Sequence, residues 1–368
     1  MGDNSKIQWT EATWNFIVGC NRVSAECDHC YAIREAARMA GNPNAKIKAV
    51  YDGLTTTRNE RLDWTGVVRF VEERLDIPLR WQRPRRIFVA SLSDPFHHLV
   101  RVGDLARAWA VMYLAGWHVF QVLTKRADRM RAILNDPAFE RLVRDTARAM
   151  IADGYALRAH PAPWQWPLKN VWLGVSVGTQ EAASKRIAWL LRTPAQERFL
   201  SCEPLLGEVN LDHYLVTDWT RIGDNPAQQL RGNVHYHGPH AISWIIVGGE
   251  SGPNARPMHP KWERDIRQQA IAAGARYHFK QWGEWIPKTQ IADFRRDVGL
   301  GGWVVRSEWT PRIQDKPWGC LDIHGTFQEE TTTWNGNQEA RRDDYEVTVY
   351  RVGKNTAGRL VDGQEWNG

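Results

Sequence analysis

The stretch RIFVASLSDPFHHLVRVGDLARAWAVMYLAGWHVFQVLT, residues 86–124, carries the pattern from which the rest of the chain is read. An apolar, β-branched run, Arg86 to Ser91, opens it, and a second, His118 to Thr124, closes it; each ends in polar residues, as strands do. Between them Leu105 to Leu114 spaces its apolar side chains as one face of a helix. Two strands joined through a helix lie parallel, because a hairpin turn cannot make that connection. The same alternation extends outward. Asn15 to Gly19 precedes it; Val171 to Val177, Arg198 to Glu203, Trp244 to Gly249 and Arg276 to Trp282 follow, with helical spacing in Glu181 to Leu191 and Lys261 to Ala273. No Gly-x-Gly-x-x-Gly follows the first strand, so the expected class is α/β, a complete or partial TIM-like barrel of parallel strands rather than a nucleotide-binding open sheet.

Two connections, Arg141 to Asn170 and Leu211 to Ala241, exceed ordinary βα loops and are expected to be loop insertions over the barrel. From Ile286 onward the rhythm stops, leaving several Trp, three glycines at 299, 301 and 302, and a short alternating run from Tyr345 to Val352. The expected division is therefore a barrel over 1–285 and an irregular C-terminal appendage, packed on it, over 286–368. With 43% hydrophobic and 24% charged residues among 368, the chain has an ordinary globular composition. Its longest apolar stretch, Trp109 to Leu123, is interrupted by Gly116, His118 and Gln121 and falls short of the roughly 18 residues a membrane span requires. The polar start MGDNSKIQW has no apolar core of a signal peptide, so a cytoplasmic protein without membrane or disulfide-linked partners is expected.

Five cysteines are present, and Cys20, Cys27 and Cys30 fall together in GCNRVSAECDHCYA. An odd count without an export signal argues against a disulfide framework, and clustered thiols in a reducing compartment more often bind metal or do redox work. Three thiolates can hold three corners of a 4Fe-4S cubane and leave one iron open to a small molecule. Zinc is the rival, with His29, His97 or His98 as a fourth ligand, although no second C-x2-C pair appears. A thioredoxin-like pair would leave Cys20 unexplained, and a zinc deaminase would need an H-x-E that is missing.

Strand ends are where a barrel keeps its chemistry. They supply Ser91, Ser93 and Asp94; Lys125 and Arg126; Ser176; Glu203; and Gly248, Gly249 and Glu250. Side chains alternate along a strand, so Ser201 and Glu203 share one face and Cys202 the other, which makes Cys202 a core residue; Gly248 pairs with Glu250, and Ser91 with Ser93, by the same parity.

The segments IQWTEATWNFIVGC…CDHCYA, PRRIFVASLSDPFH, FQVLTKRADRM, VWLGVSVGTQ, RFLSCEPLLGEV, WIIVGGESG and GKNTAGRLVDGQEW resemble a phage-associated family related to the radical S-adenosyl-L-methionine (radical SAM) enzymes, and the CxxCYA ending is similar to that of photoproduct lyases. The interval between the first two cysteines is longer here than the usual three residues. The resemblance implies a partial (βα)6 barrel, a 4Fe-4S cluster on Cys20, Cys27 and Cys30, and S-adenosyl-L-methionine bound at the open iron. An external electron donor then reduces the cluster, and a 5′-deoxyadenosyl radical abstracts hydrogen from the substrate. It also suggests His29 beside the adenine, and Ser91, Ser93, Asp94, Ser176, Glu203, Gly248, Gly249 and Glu250 as cofactor-binding candidates, with Glu250, Glu203 and Lys125 as catalytic ones.

Lys and Arg outnumber Asp and Glu by 48 to 42, a mild excess compatible with a polyanion. Arg83, Arg85, Arg86, Lys125, Arg126 and Arg129 cluster around two strands, and Trp81, Trp164, Trp166, Trp282 and Trp285 offer stacking faces. DNA is accordingly the expected partner, contacted through Arg85, Arg86, Lys125, Arg126 and Trp282. The phage association points to modification of a thymine-derived base in the host cytoplasm, such as isomerisation of an amino-acid-substituted thymine; photoproduct repair and a zinc-stabilised, non-catalytic nucleic-acid binder are the alternatives.

Overall fold

A computed structural model describes residues 5, 7–155, 161–215, 242–287, 290, 294–296, 303–305, 318–330, 346–357, 359, 361 and 365–367. In chain order it contains β1 (Ala12–Trp14), β2 (Ile17–Val18), α1 (Tyr31–Ala40), α2 (Ala45–Tyr51), β3 (Thr55–Arg58), β4 (Arg61–Trp64), β5 (Arg69–Phe70), α3 (Ile77–Arg80), β6 (Arg86–Val89), α4 (Val102–Leu114), β7 (Val119–Thr124), α5 (Ala127–Leu134), α6 (Pro137–Ala152), β8 (Val171–Ser176), α7 (Gln180–Leu191) and β9 (Glu197–Cys202). These are followed by α8 (Asp212–Leu215), β10 (Trp244–Gly248), α9 (Pro260–Ala272), β11 (Arg276–Gln281), β12 (Trp285–Pro287), β13 (Phe294–Arg296), β14 (Trp303–Val305), β15 (Trp318–Asp322), β16 (Phe327–Glu330), β17 (Glu346–Arg351) and α10 (Lys354–Ala357). Seven strands form one parallel sheet in the order β1-β6-β7-β8-β9-β10-β11, the partial TIM-like barrel expected from the βαβ rhythm.

Three expectations need correction. The first barrel strand is Ala12–Trp14, paired with Ile87 to Val89, and not Asn15 to Gly19. Asn15 turns the chain off the sheet: its Oδ1 accepts from Leu92 N and Ser91 Oγ, both at 3.1 Å, and the apolar Ile17–Val18 pairs antiparallel with β5 instead. The first half of the Arg141 to Asn170 connection is helix, because Asp136 caps α6 through Ala138 N (2.8 Å) and Phe139, Val143, Ala147 and Met150 give it a buried face. Beyond residue 285 there is a four-stranded sheet, β12-β17-β15-β16, where irregular chain was expected; most of the Leu211 to Ala241 connection lies outside the described residues.

Chain contacts divide the molecule into two compact units. The first lies within Met1–Ser176, Ser184–Leu200 and Val216–Ser243. Its strands are buried on both faces, as parallel strands are. One face carries Val89, Phe120, Val122, Leu173 and Val175. On the other, Phe88 pairs in register with Gln121 and Leu123 with Gly174. Trp9 lies tilted against this face, its ring 4.7 Å from Phe88 and 6.2 Å from Phe199, while its carbonyl accepts from Gln121 Nε2 at 3.3 Å. Gly174 is small for a reason: a Cβ there would lie 2.4 Å from Phe199 Cζ. Gly174→Ala is expected to destabilise the fold by about 1–3 kcal/mol through overpacking, with partial recovery when Phe199→Leu is added. Urea denaturation of the two variants checks this, and an unchanged midpoint for the single variant would contradict it.

The second unit lies within Val177–Ala183, Ser201–Leu215 and Trp244–Gly368. Buried aromatic side chains with satisfied polar ends hold it: Trp262 Nε1 donates to Ile323 O (2.7 Å), Trp285 Nε1 to Ala255 O (2.6 Å) and Tyr277 Oη to Glu263 Oε1 (2.6 Å). The end of the chain covers the open side of β11, with Phe279 N donating to Trp366 O at 2.9 Å and His278 bridging to Asn367. An uncovered strand edge would otherwise be a template for aggregation.

Candidate functional site

The loop at residues 19–30 follows β2, past the point where Asn15 turns the chain off the sheet. Gly19 opens it with φ of +89°, and a Cβ there would sit 2.1 Å from Val67 O, so no other residue fits. Gly19 N donates to Leu92 O (3.2 Å) and Ser93 Oγ donates to Gly19 O (2.5 Å), tying the loop to the end of β6. A turn of 3-10 helix, Ala25–Cys27, carries Cys27, and Cys30 is the N-cap of α1, where the positive end of the helix dipole favours an anionic sulfur. Arg22 braces the far side: Nη1 donates to Cys27 O (2.7 Å) and Asp28 O (2.5 Å), and Nε to Asp63 Oδ1 (2.7 Å).

The ends of β6, β7 and β8 meet this loop. Asp94 is buried and accepts four hydrogen bonds, from Phe96 N (2.9 Å), Thr124 Oγ1 (2.7 Å), Lys125 N (3.0 Å) and Arg126 Nη1 (2.8 Å). It thereby aims Arg126 at Cys20 Sγ, which both Nη atoms approach at 3.8 Å; Nη2 also donates to Asn21 Oδ1 (2.7 Å) and Asn21 O (3.2 Å). Lys125 Nζ donates to Ser176 Oγ at 3.2 Å. One buried ion pair anchors the loop's middle: Arg186, from α7, donates to Glu26 Oε1 and to Ser176 O, both at 2.7 Å.

None of the five cysteines is in a disulfide. Burial and Asp94 push the Cys20 thiol up to about 12 against the pull of Arg126, and burial raises Cys30 against the pull of Lys125. Binding of a metal there must release protons, and the two cations favour the sulfur anions that result. Among the described residues no three His, Cys, Asp or Glu side chains converge closely enough to hold a single ion. A cubane takes each thiolate on a different iron, so its ligands need not converge on one point. Three free thiols on one loop, flanked by Arg126 and Lys125, fit the donor set such a cluster takes from a protein. In this arrangement both ring nitrogens of His97 have contacts within the protein. Burial, then Arg126 and His98, lower it to about 4, so it is neutral; Nδ1 accepts from Leu99 N (3.2 Å), and Nε2 meets Asn21 Oδ1 at 2.5 Å.

The structure thus brings together Cys20, Cys27, Cys30, Ser93, Asp94, Lys125, Arg126 and Ser176. Ser91 faces Asn15 through its hydroxyl and accepts from Tyr31 Oη (2.8 Å) through its carbonyl; His29 is half-buried in the turn before Cys30. In the second unit, Glu203 bonds Lys280, and Glu250 is clamped by Arg256 through its backbone N (2.8 Å), Nε (3.0 Å) and Nη2 (2.7 Å). Gly249 must lack a side chain, since a Cβ would lie 1.9 Å from Trp282 O.

The nucleic-acid candidates fare differently. Arg85 and Arg86 stand at the beginning of β6, the opposite end from Ser91 to Asp94; Arg85 lies over Trp81, and Arg86 faces Glu11 at 3.7 Å. Arg126 is committed to Asp94, Asn21 and Cys20. Trp282 is 1% exposed and packs edge-on against Phe279, so it presents no face to a base. Sequence reasoning passed over Asn21, Glu26 and Arg186; nothing local marks them, since Glu26 and its partner are 160 residues apart.

Among the described residues no helix is long and apolar enough to cross a membrane. No curated protein and no solved structure matches the chain. One family, described as a protein of unknown function (DUF5131), matches residues 4–368, and the chain belongs to it.

Proposed function

We propose that this chain is a radical SAM enzyme of the isomerase type, using a 4Fe-4S cluster and S-adenosyl-L-methionine to act on a nucleic-acid base, and that its reaction is the isomerisation of an amino-acid-substituted thymine in phage DNA. The observation that carries the reading is the meeting of three parallel strand ends, β6, β7 and β8, at a loop of three free thiols with two cations directed at it. When bound, the reduced cluster supplies the electron that cleaves SAM into methionine and a 5′-deoxyadenosyl radical.

The chain's own part is to hold and shield. Cys20, Cys27 and Cys30 are the residues that would bind iron. Arg126, held by Asp94, donates toward Cys20 Sγ, and hydrogen bonds and positive charge at a ligand sulfur are among the factors that set a cluster's potential. Trp9, Phe88 and Phe199 close one face of the first unit's strands with apolar rings, which keeps water from it. For DNA, support comes from the charge excess and from Trp164 and Trp166, half-buried, parallel within 9° and 6.4 Å apart, with Arg144 5.6 Å over Trp164.

Anaerobic reconstitution with iron and sulfide tests the reading. The protein is expected to turn brown with about four irons per chain and, once reduced with SAM, to release 5′-deoxyadenosine. Mass analysis of nucleosides from DNA carrying glycyl-substituted thymine is then expected to show an isomer. UV-irradiated DNA serves as the arm for photoproduct repair. A colourless protein with one zinc would overturn the proposal.

A further inference from the structure

Glu203, Lys280 and Gln281 stand together at the C-terminal ends of β9 and β11, with Gly248 of β10 in register with Gln281. Lys280 Nζ donates to Glu203 Oε1 at 2.5 Å, and the two side chains are 14% and 19% exposed. Gln281 is 2% exposed, and its Nε2 approaches the same Oε1 at 3.5 Å. That contact fixes the amide's orientation, since the flipped amide would set two acceptors against each other. Its Oε1, bonded to the same carbon, is therefore beside the carboxylate, and no described residue donates to it. A buried carbonyl without a donor costs stability, and its persistence in a charged group at a strand end points to a donor supplied from outside. Glu203 Oε2 likewise receives nothing from the described residues. A Cβ at Gly248 would make ordinary van der Waals contact with Glu203 Cγ and Cδ at 3.4 Å, so glycine leaves that flank of the side chain uncovered. Lys354 stands within electrostatic reach of Lys280, Glu203 and Glu284.

The group thus offers two unused acceptors on neighbouring side chains and, on Lys280, unused N–H donors. Ammonium satisfies the first and carboxylate the second. We infer that Glu203, Gln281 and Lys280 form a recognition site for the zwitterionic head of an α-amino acid, the ammonium on Glu203 Oε2 and Gln281 Oε1 and the carboxylate on Lys280. Two sources carry that head: an amino-acid-substituted base, and SAM. The choice of the first as natural ligand rests on the function proposed above; the site itself does not.

The test titrates glycine into the full chain without iron, followed by saturation-transfer NMR. Glycine is expected to bind with a dissociation constant on the order of millimolar, fitting for so few atoms. Acetate and methylamine, each with half the head, should bind at least about tenfold more weakly, as should glycine to Glu203→Gln and Gln281→Leu. Thermal melts establish that both variants fold, and a variant that fails to fold is replaced by Lys280→Met, for which the same loss is expected. If SAM displaces glycine and loses affinity in the same variants, the head is that of SAM. If SAM binds independently while 5-(carboxymethylaminomethyl)-2′-deoxyuridine displaces glycine, the head is that of the base. Glycine that fails to bind, or binds folded variants as it binds the parent, overturns the inference. Glycine binding in a chain that takes up no iron would keep this site and remove the radical reading; iron and 5′-deoxyadenosine without glycine binding would do the reverse.

Discussion

Cys27→Ala, reconstituted anaerobically, is expected to hold less than about a tenth of the parent's iron and to release no 5′-deoxyadenosine from SAM. A cubane with three protein ligands tolerates the loss of none of them easily, because the fourth corner is already given to a small molecule. The same outcome is expected for Cys20→Ala and Cys30→Ala. Cys202→Ala and Cys320→Ala are the controls. Cys202 is buried at the end of β9 and Cys320 lies in β15, so both should keep their iron. Iron assay, the absorption shoulder near the visible region and the product of SAM cleavage are all read from one preparation. Full iron and full cleavage in Cys27→Ala would remove the three-thiol assignment, and with it the function proposed.

The second large effect belongs to a residue with no part in the chemistry. Arg186→Met is expected to cost about 3–5 kcal/mol at pH 7, because it strands the carboxylate of Glu26, which is 3% exposed, without its partner. Adding Glu26→Leu should recover most of the loss, since a buried pair replaced by apolar groups is close to neutral. The pH dependence follows from the sign of the shift. Burial pushes the Glu26 carboxyl up, but Arg186, Ser24 and Lys125 together outweigh it, and the group is held below its ordinary range. Its stabilisation is therefore complete above the unfolded value of about 4.3 and is lost as pH falls through the lower folded value. In Arg186→Met only the upward push of burial and the weaker partners remain, so protonation relieves the variant earlier. The gap between parent and variant should narrow from pH 7 toward pH 5. Guanidinium unfolding at the two pH values measures it, and a variant as stable as the parent at pH 7 would refute the anchoring role. The same variant should load less iron, since Arg186 is what joins the middle of the cysteine loop to the end of β8.

Much of this was legible along the chain. Six of the seven barrel strands begin and end within a few residues of their apolar runs, and α4, α7 and α9 follow their helical spacing closely, because alternation and the 3.6-residue period are imposed by neighbours a few bonds away. The first strand was displaced because Phe16, Ile17 and Val18 are as buried as any strand, but Ile17 and Val18 pair with β5 instead of with the barrel sheet. Arg126 illustrates the limit on the site. Its charge suggested phosphate, and the fold spends it on Cys20 and Asp94.

What the sequence determined by itself is the α/β alternation, the three clustered thiols and the positions of the polar strand ends, all properties of short windows. The tertiary structure decided which of those ends share a centre and which charges are already spent: Glu26 on Arg186, Asp94 on Arg126, Glu203 on Lys280. Those partners are far apart in the chain, and only the order and register of parallel strands bring them within hydrogen-bonding distance.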